Sequence, residues 1–304
     1  MKTTSRLIGS LLAALLAAVP IQHVAAQESD WKLEPDARIE VQTVSAQTTT
    51  RDNDLVIDGE AISLRGQVGL ALNSKKTRFR IEADRIEVFR LGNGRDDIAR
   101  DRFTAAAEFD INKKLELQLQ ARHFDDMVSV EANDTDEWQG AARVTWEPRR
   151  AHRFRLQGTW REREYADGAL PETKGEGPRV DAQYRHRFGA YHYLAFDLRA
   201  ESISSDDPRR GYERQSVGAA YTYPIKPDLR VRPAIEAIRT RFDDRLTINN
   251  DRRKDTLVAP EVEVLWWPGK WRVEAEAKYI FVGSNEPVRE REGYRLTLSV
   301  GYAF

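Results

Sequence analysis

The sequence predicts an all-β fold, a single antiparallel up-and-down transmembrane β-barrel of about 14 strands with short turns at one end and long loops at the other. Three observations predict it. Runs of alternation, apolar on one face and polar or small on the other, recur over residues 37–304. The connections between those runs alternate too, six short turns being interleaved among seven longer polar loops. Aromatic residues gather where the runs meet the connections. The last eleven residues show the pattern most clearly, with Tyr294, Leu296, Leu298, Val300, Tyr302 and Phe304 on one face and Arg295, Thr297, Ser299, Gly301 and Ala303 on the other. A strand of that kind leaves an open edge unless something pairs with it, and closing the sheet into a barrel supplies the partner.

Composition is compatible with this. With 32% charged and 40% hydrophobic residues and a mean hydropathy of -0.63, the 304-residue chain reads on average like a soluble protein. In a transmembrane barrel only alternate strand residues face lipid, so a low average is expected. The net charge of -1, from 48 Lys plus Arg against 49 Asp plus Glu, gives no reason to expect nucleic acid as a partner. Cysteine is absent, which removes disulfides, thiolate catalysis and Cys-ligated metals. At the N-terminus Lys2 and Arg6 make a basic region ahead of an apolar run from Leu7 to Val19, and Val24-Ala25-Ala26 offers small residues at a cleavage site. Residues 1–26 therefore read as a cleaved signal peptide, 27–36 as a periplasmic lead-in and 37–304 as the barrel. That organisation places the mature chain in the outer membrane of a Gram-negative bacterium.

Taken in order, the first run sets Ile39, Val41 and Thr43 against Arg38, Glu40 and Gln42, and a polar stretch over 48–60 follows. Ile62, Leu64, Val68, Leu70 and Leu72 carry the second run to a turn at Asn73-Ser74-Lys75-Lys76. In the third, Phe79, Ile81 and Ala83 oppose Arg78, Arg80 and Glu82. Parity then slips near Asp84-Arg85, where Ile86 and Val88 take over, and this predicts a β-bulge. Phe103 to Ile111 and Leu115 to Ala121 flank the Asn112-Lys113-Lys114 turn. An acidic loop over 125–136 leads to the run Trp138 to Trp146, the turn Pro148-Arg149-Arg150 and the run Phe154 to Trp160. After a loop over 163–177, Val180 to Phe188 and Leu194 to Leu198 flank Gly189-Ala190. A loop over 202–213 precedes Val217 to Tyr223 and Leu229 to Ile235, which flank Pro224-Ile225-Lys226-Pro227, and the loop over 243–255 is the most polar of all. Val258 to Trp266 and Trp271 to Phe281 flank Pro268-Gly269-Lys270. Residues 283–293 then lead into the last strand, which should pair with 271–281 on one side and 37–44 on the other.

Trp146, Phe188, Tyr191, Tyr223, Trp266, Trp267, Trp271, Tyr302 and Phe304 lie beside short turns or at the C-terminus, and Trp138, Trp160, Tyr279, Phe281 and Tyr294 lie at loop ends. Two belts at two membrane–water interfaces are expected of a transmembrane barrel. The eight residues from Trp138 to Trp146 rise about 20 Å at about 3.3 Å per residue and roughly 40° of tilt, near the height of a lipid-facing band.

Alternation sends the other face into the lumen. Fourteen strands enclose a backbone diameter of roughly 28 Å, wider than side chains plug. The inward set includes Arg122 and, as candidates for contact with a solute, Arg143, Arg153, Arg155, Arg179, Arg185, Arg187, Arg199, Arg230, Arg232 and Arg272, with the carboxylates Glu261, Glu263, Glu274 and Glu276. Planar guanidinium groups at this density suit a hydrated pore that guides small polar solutes, anionic or saccharide, past a row of carboxylates. Equally, Arg and Glu on adjacent strands pair across a wall and stiffen it. Catalysis finds little support. His123-Phe124-Asp125-Asp126 sits at a loop end, where a His–carboxylate pair could activate water, but His123 has outward parity. No nucleophile-elbow, zincin or phosphate-loop motif occurs, so no enzymatic activity, cofactor or metal is expected.

With its signal peptide, about fourteen amphipathic strands and terminal Tyr302-Ala303-Phe304, the chain resembles bacterial outer-membrane β-barrels, and it is similar in size and strand count to the monomeric 14-stranded porins. That resemblance implies passive diffusion of sugars and oligosaccharides through a monomer, contact with outer-membrane lipid and lipopolysaccharide, and recognition of Tyr302 and Phe304 by the barrel assembly machinery. The closing hairpin, Tyr279 to Phe304 with Ser284-Asn285-Glu286-Pro287 in its loop, also resembles the barrel domain of surface lipoprotein assembly modifiers. This second resemblance implies export or assembly of a surface polysaccharide or lipoprotein together with a periplasmic partner. Those proteins carry an N-terminal helical-repeat domain, whereas here only the ten-residue lead-in 27–36 precedes the barrel.

Overall fold

The structure is a computed structural model that describes residues 31–50, 56–91, 97–130, 132, 134–166 and 173–304. The signal-peptide reading falls outside the described residues, as does the middle of the 163–177 loop. The strands are β1 (Lys32–Thr50), β2 (Val56–Asp58), β3 (Ala61–Asn73), β4 (Thr77–Arg90), β5 (Ile98–Asn112), β6 (Leu115–Met127), β7 (Thr135–Arg149) and β8 (His152–Tyr165). They continue with β9 (Thr173–Gly189), β10 (His192–Ser205), β11 (Tyr212–Pro224), β12 (Leu229–Leu246), β13 (Arg252–Trp266), β14 (Trp271–Ser284) and β15 (Arg291–Ala303). From β3 to β15 every strand pairs antiparallel with its neighbour in sequence, and β15 returns to β1. β2 is a spur that pairs only with Gln47–Thr49 of β1, so the closed barrel has fourteen staves. Short turns and longer connections alternate around it as expected, and the last strand lies between the expected partners, with Tyr302 opposite both Trp271 and Ile39.

The distribution of polarity is inverted relative to a water-soluble fold. Ile81, Leu156 and Leu198 are 60%, 56% and 56% exposed, while Asp84, Glu137, Arg161 and Arg163 are buried. In water such a surface would be a large aggregation liability, and charged residues are almost never fully buried unless paired. A bilayer around the outer wall and a polar interior resolve both anomalies. The outward belts take shape as expected at the loop end, where Trp138, Trp160, Tyr279, Phe281 and Tyr294 are all exposed. At the short-turn end Trp271, Tyr302 and Phe304 stack edge to face in series, each pair of centroids 5.0 Å apart.

The structure departs from the sequence reading in four places. β1 starts at Lys32, so residues 32–36, read as lead-in, are a paired strand opposite Gly69–Asn73. No bulge forms at Asp84-Arg85, because β4 keeps one register with β3 and β5 over its whole length. Ile86 and Val88 point into the lumen instead, and Arg85 and Glu87 point outward, where Arg85 Nη1 meets Asp101 Oδ2 at 3.0 Å and Arg85 Nε meets Glu87 Oε1 at 2.9 Å. Mutual neutralisation above the apolar band lets those charges take the outer face. Strands also extend beyond the apolar alternation, so the loops read over 125–136, 163–177, 202–213, 243–255 and 283–293 all contain paired strand ends. Backbone pairing continues where both faces are polar, and hydropathy has no contrast there to report it. Finally, Tyr191 and Trp267 leave the belt at the short-turn end and bend over the rim to sandwich Arg230, whose guanidinium carbon is 3.9 Å and 4.5 Å from their ring centroids.

Candidate functional site

Each candidate arginine and glutamate sits on a lumen-facing position of its strand, but their partners divide them into two groups. The candidate carboxylates on β13 and β14 are occupied. Glu261 pairs with Lys278 and Glu263 with Arg232, while Glu276 accepts from Arg295 Nη2 at 2.8 Å and Glu274 from the Trp267 indole at 3.1 Å. Several arginines near the short-turn end are likewise committed. Arg153 reaches Glu147 at 3.2 Å, Arg185 lies 4.5 Å over Tyr193, and Arg272 donates to the carbonyls of Gly269 and Trp271 at 2.9 and 2.7 Å. Arg230 is held by its aromatic sandwich, and Arg187 is exposed near the turn between β9 and β10. Cross-strand ion pairing thus joins Arg153 to Glu147, Arg232 to Glu263, Lys278 to Glu261 and Arg295 to Glu276, and these pairs stiffen the wall.

The other group surrounds a chamber of about 340 Å³ on the inner face of β6–β12. Arg122, Arg143, Arg155, Arg179 and Arg199 line it together with Asp181, Asp197 and Glu236. Asp181 is shared, accepting from Arg179 Nε at 2.9 Å and Arg199 Nε at 2.6 Å, and Asp197 accepts from Gln183 at 2.7 Å. Among the described residues, Arg122, Arg143 and Arg155 have no carboxylate within 4.0 Å, and the Nε atoms of Arg143 and Arg155 have no hydrogen-bond partner. Strand pairing forces this proximity, because Arg143 on β7 is opposite Gln118 of β6 and Gln157 of β8, and neither neighbour carries a charge. Two like charges about 8 Å apart repel by about 2 kcal/mol at an effective dielectric of about 20, so an anion entering the chamber relieves a standing repulsion. Five arginines against three carboxylates thus give the wall a net positive field facing a confined aqueous space. Arg122 belongs with the core of this site even though it is absent from the run Arg143 to Arg199, where the excess of arginine is plainest.

A second cluster narrows the loop end of the lumen beside β7–β12. Glu137, 1% exposed, accepts from Arg163 Nε and from Gln139 Nε2. Arg163 Nη1 donates to the Tyr212 hydroxyl at 3.3 Å, which donates to Glu201 Oε1 at 3.3 Å. Arg161, 2% exposed, donates to Glu201 Oε2 and to the Ser202 carbonyl, both at 3.1 Å. Ile203, Tyr212 and Phe242 make an apolar knot against this network. The turn at Pro208–Arg210 adds Arg210, whose guanidinium lies 4.4 Å over Tyr165. Asp207, hydrogen-bonded by Arg209, starts that turn, and those bonds hold its carboxyl below the usual carboxylate range.

The chemistry of β9 explains how such large side chains fit. Pro178 lies opposite Ser202 and has no N–H to offer, and the ladder is interrupted between the pairs Arg179–Glu201 and Glu176–Ser204. Arg161 supplies the missing donor. Gly175 and Gly177 leave the space across which Tyr165 and Arg161 lie: a Cβ on Gly177 would sit 2.1 Å from the Ser202 carbonyl oxygen, and one on Gly175 2.5 Å from the Tyr165 hydroxyl. Gly177→Ala is therefore expected to force β9 and β10 apart and to destabilise the barrel by about 1–3 kcal/mol, as overpacking does. A urea midpoint unchanged from the wild type would contradict this assignment. Sequence reasoning missed the cluster because Arg161, Glu162, Arg163 and Glu164 are charged on both faces of the strand.

His123 and Asp125, the residues considered for catalysis, are on the outer wall. The His123 ring stacks 4.3 Å from Trp138, and carboxylate oxygens of Asp125, Asp126 and Asp136 lie within 4.8 Å of one another. Neither residue faces the chamber.

A closed fourteen-stave antiparallel barrel with an apolar outer band, aromatic belts and a charged interior is the architecture of an outer-membrane β-barrel. No protein-family model and no curated protein matches the chain. Among solved structures, it is similar to the loop L8 deletion mutant of OmpT, an outer membrane protein of Vibrio cholerae, with a TM-score of 0.53 at 7% identity over 91% of this chain and 100% of that one. It is also similar to Acinetobacter baumannii OccAB3, with a TM-score of 0.51 at 8% identity over 89% of this chain and 100% of that one. At such identities the likeness is one of fold.

Proposed function

We propose that the protein is a monomeric channel of the Gram-negative outer membrane for passive diffusion of small anionic solutes, including charged saccharides. The observation that carries this reading is the set Arg122, Arg143 and Arg155, held in one lumen chamber with no carboxylate partner among the described residues. Arg179 and Arg199, sharing Asp181, flank the path as donors that a passing carboxylate or phosphate can borrow. Asp197 and Glu236 on the same chamber wall keep binding weak enough for release, as conduction requires. Planar-bilayer recording tests the reading. The folded protein should conduct, and its reversal potential in a potassium chloride gradient should show chloride preferred over potassium. No conductance above bare lipid, or a cation preference, would count against it.

Tyr302 and Phe304 bear on how the channel reaches the membrane. Phe304 N donates to the Ala37 carbonyl at 3.0 Å, and its ring packs on Tyr302 at the short-turn rim. Such an aromatic end is a feature that barrel assembly machinery can read. Phe304→Ser should lower the heat-modifiable, folded fraction recovered from outer membranes several-fold. Refolding of the purified variant into detergent should be nearly unaffected, which separates a recognition defect from a stability defect.

A further inference from the structure

The outer wall is not uniform around the barrel. The loop-end belt is carried by Trp138 and Trp160 on β7 and β8 and by Tyr279, Phe281 and Tyr294 on β14 and β15, whereas on β9–β13 the outward register row toward the loop end holds Val180, Ala200, Gln215, Arg239 and Thr256. Small residues also form an outward groove of about 480 Å³ below this row, with Ala182, Ala200 and Ala237 among Leu198 and Val217. Arg239 closes its loop end. It lies opposite Gln215 on β11 and Thr256 on β13, and no carboxylate lies within 4.0 Å of it among the described residues. One step further out, Arg241 is opposite Glu213 and Lys254, the contact to Glu213 being a loose 3.8 Å between exposed groups. On β4–β7 the outward loop end is acidic instead, with Glu87 and Asp101 on Arg85 and Asp125 and Asp136 beside them.

An arginine on the lipid-facing wall costs about 2–4 kcal/mol at the bilayer midplane and close to nothing at the interface, so Arg239 marks headgroup depth. There an uncompensated guanidinium beside an apolar groove has one complementary occupant: a molecule that presents phosphate at headgroup depth and acyl chain immediately beneath it. Resting on the reading of the strands as spanning the outer membrane, we propose that this face of β9–β13 binds one molecule of the phosphorylated, multiply acylated glycolipid of the outer leaflet, lipid A. A phosphate engages Arg239, with Gln215 and Lys254 as further donors, and an acyl chain lies along Ala182, Ala200 and Ala237. The charge complementarity, the missing belt aromatics and the groove coincide on the same five strands.

The test uses the full mature chain, folded in detergent and checked by heat-modifiable mobility, with native mass spectrometry reading bound lipid. Purified lipid A should be retained at one per barrel. Arg239→Ala should weaken retention about tenfold, and chemically dephosphorylated lipid A should bind the wild type about as poorly. Arg85→Ala on β4 should change nothing. A second route fills the groove with Ala200→Phe and Ala237→Phe, which should lower retention while Arg239 remains in place. Equal binding of lipid A and its dephosphorylated form, full retention by Arg239→Ala, or equal losses in Arg239→Ala and Arg85→Ala would overturn the site. The membrane reading has its own readout, insertion into phospholipid vesicles lacking lipid A. A barrel that inserts there but shows no selective lipid A retention disproves the site alone, and one that fails to insert disproves the reading beneath it.

Discussion

Replacing Arg122, Arg143 and Arg155 together by glutamate should reverse the ion preference of the channel. The substitutions exchange three uncompensated positive charges for three negative ones in a chamber that already holds Asp181, Asp197 and Glu236. A tenfold change in the permeability ratio corresponds to about 1.4 kcal/mol. Removing even one interaction of about 2 kcal/mol between near neighbours already exceeds that, so a change of more than tenfold is expected from all three. Reversal potentials in a salt gradient supply the measurement, and screening predicts a smaller difference at 1 M salt than at 0.1 M. Replacing both partners of a tied pair, Arg232→Gln with Glu263→Gln and Arg295→Gln with Glu276→Gln, is the control, because each pair carries no net charge and its removal leaves the net charge of the lumen unchanged. Equal shifts from the triple variant and from the control would remove the special role of the unpaired set.

Glu137→Ala and Glu201→Ala should widen the loop end of the lumen. Each change leaves a buried guanidinium, Arg163 or Arg161, without its carboxylate, and breaking a buried pair in this way costs about 3–5 kcal/mol. The cost is local, since the network spans β7–β11 and leaves the seams of the other strands untouched. The arginines should escape it by swinging toward water, releasing the apolar knot of Ile203, Tyr212 and Phe242. Single-channel conductance should therefore rise, and amide exchange at the loop ends of β8–β11 should accelerate while the short-turn ends stay protected. An unchanged conductance would show that the cluster lies outside the path of permeating ions.

These two sites differ in how legible they were in the sequence. The arginine wall could be read because Val144, Leu156 and Val180 on the outward face fixed the parity of their strands, leaving Arg143, Arg155 and Arg179 inward. Whether each arginine had a partner could not be read, because that depends on register: Arg143 meets Gln118 and Gln157, whereas Arg232 meets Glu263. The mouth cluster was invisible for another reason. Above the lipid band both faces of a strand are wet or hydrogen-bonded, alternation of hydropathy disappears, and Arg161 to Tyr165 resemble a loop while remaining paired with Thr173 to Gly177. The same loss of contrast hid the correct parity of Ile86 and Val88, whose apolar side chains suggested lipid although they line the lumen.

The seam between β1 and β15 carries a kinetic consequence. Ser299 donates to Glu40 at 2.6 Å across a separation of 259 residues, whereas every other seam joins strands adjacent in the chain. Loop-closure entropy grows only logarithmically with length, so the long span adds about 4 kcal/mol over a short hairpin rather than an insuperable barrier. Timing is affected more than stability. The sequential hairpins can form in any order, but until the two terminal staves meet the sheet has two bare edges, each able to recruit a strand from another molecule. Closure is thus the step at which a crowded periplasm competes with correct folding, and the interval between the last hairpin and the seam is when the chain most needs an escort.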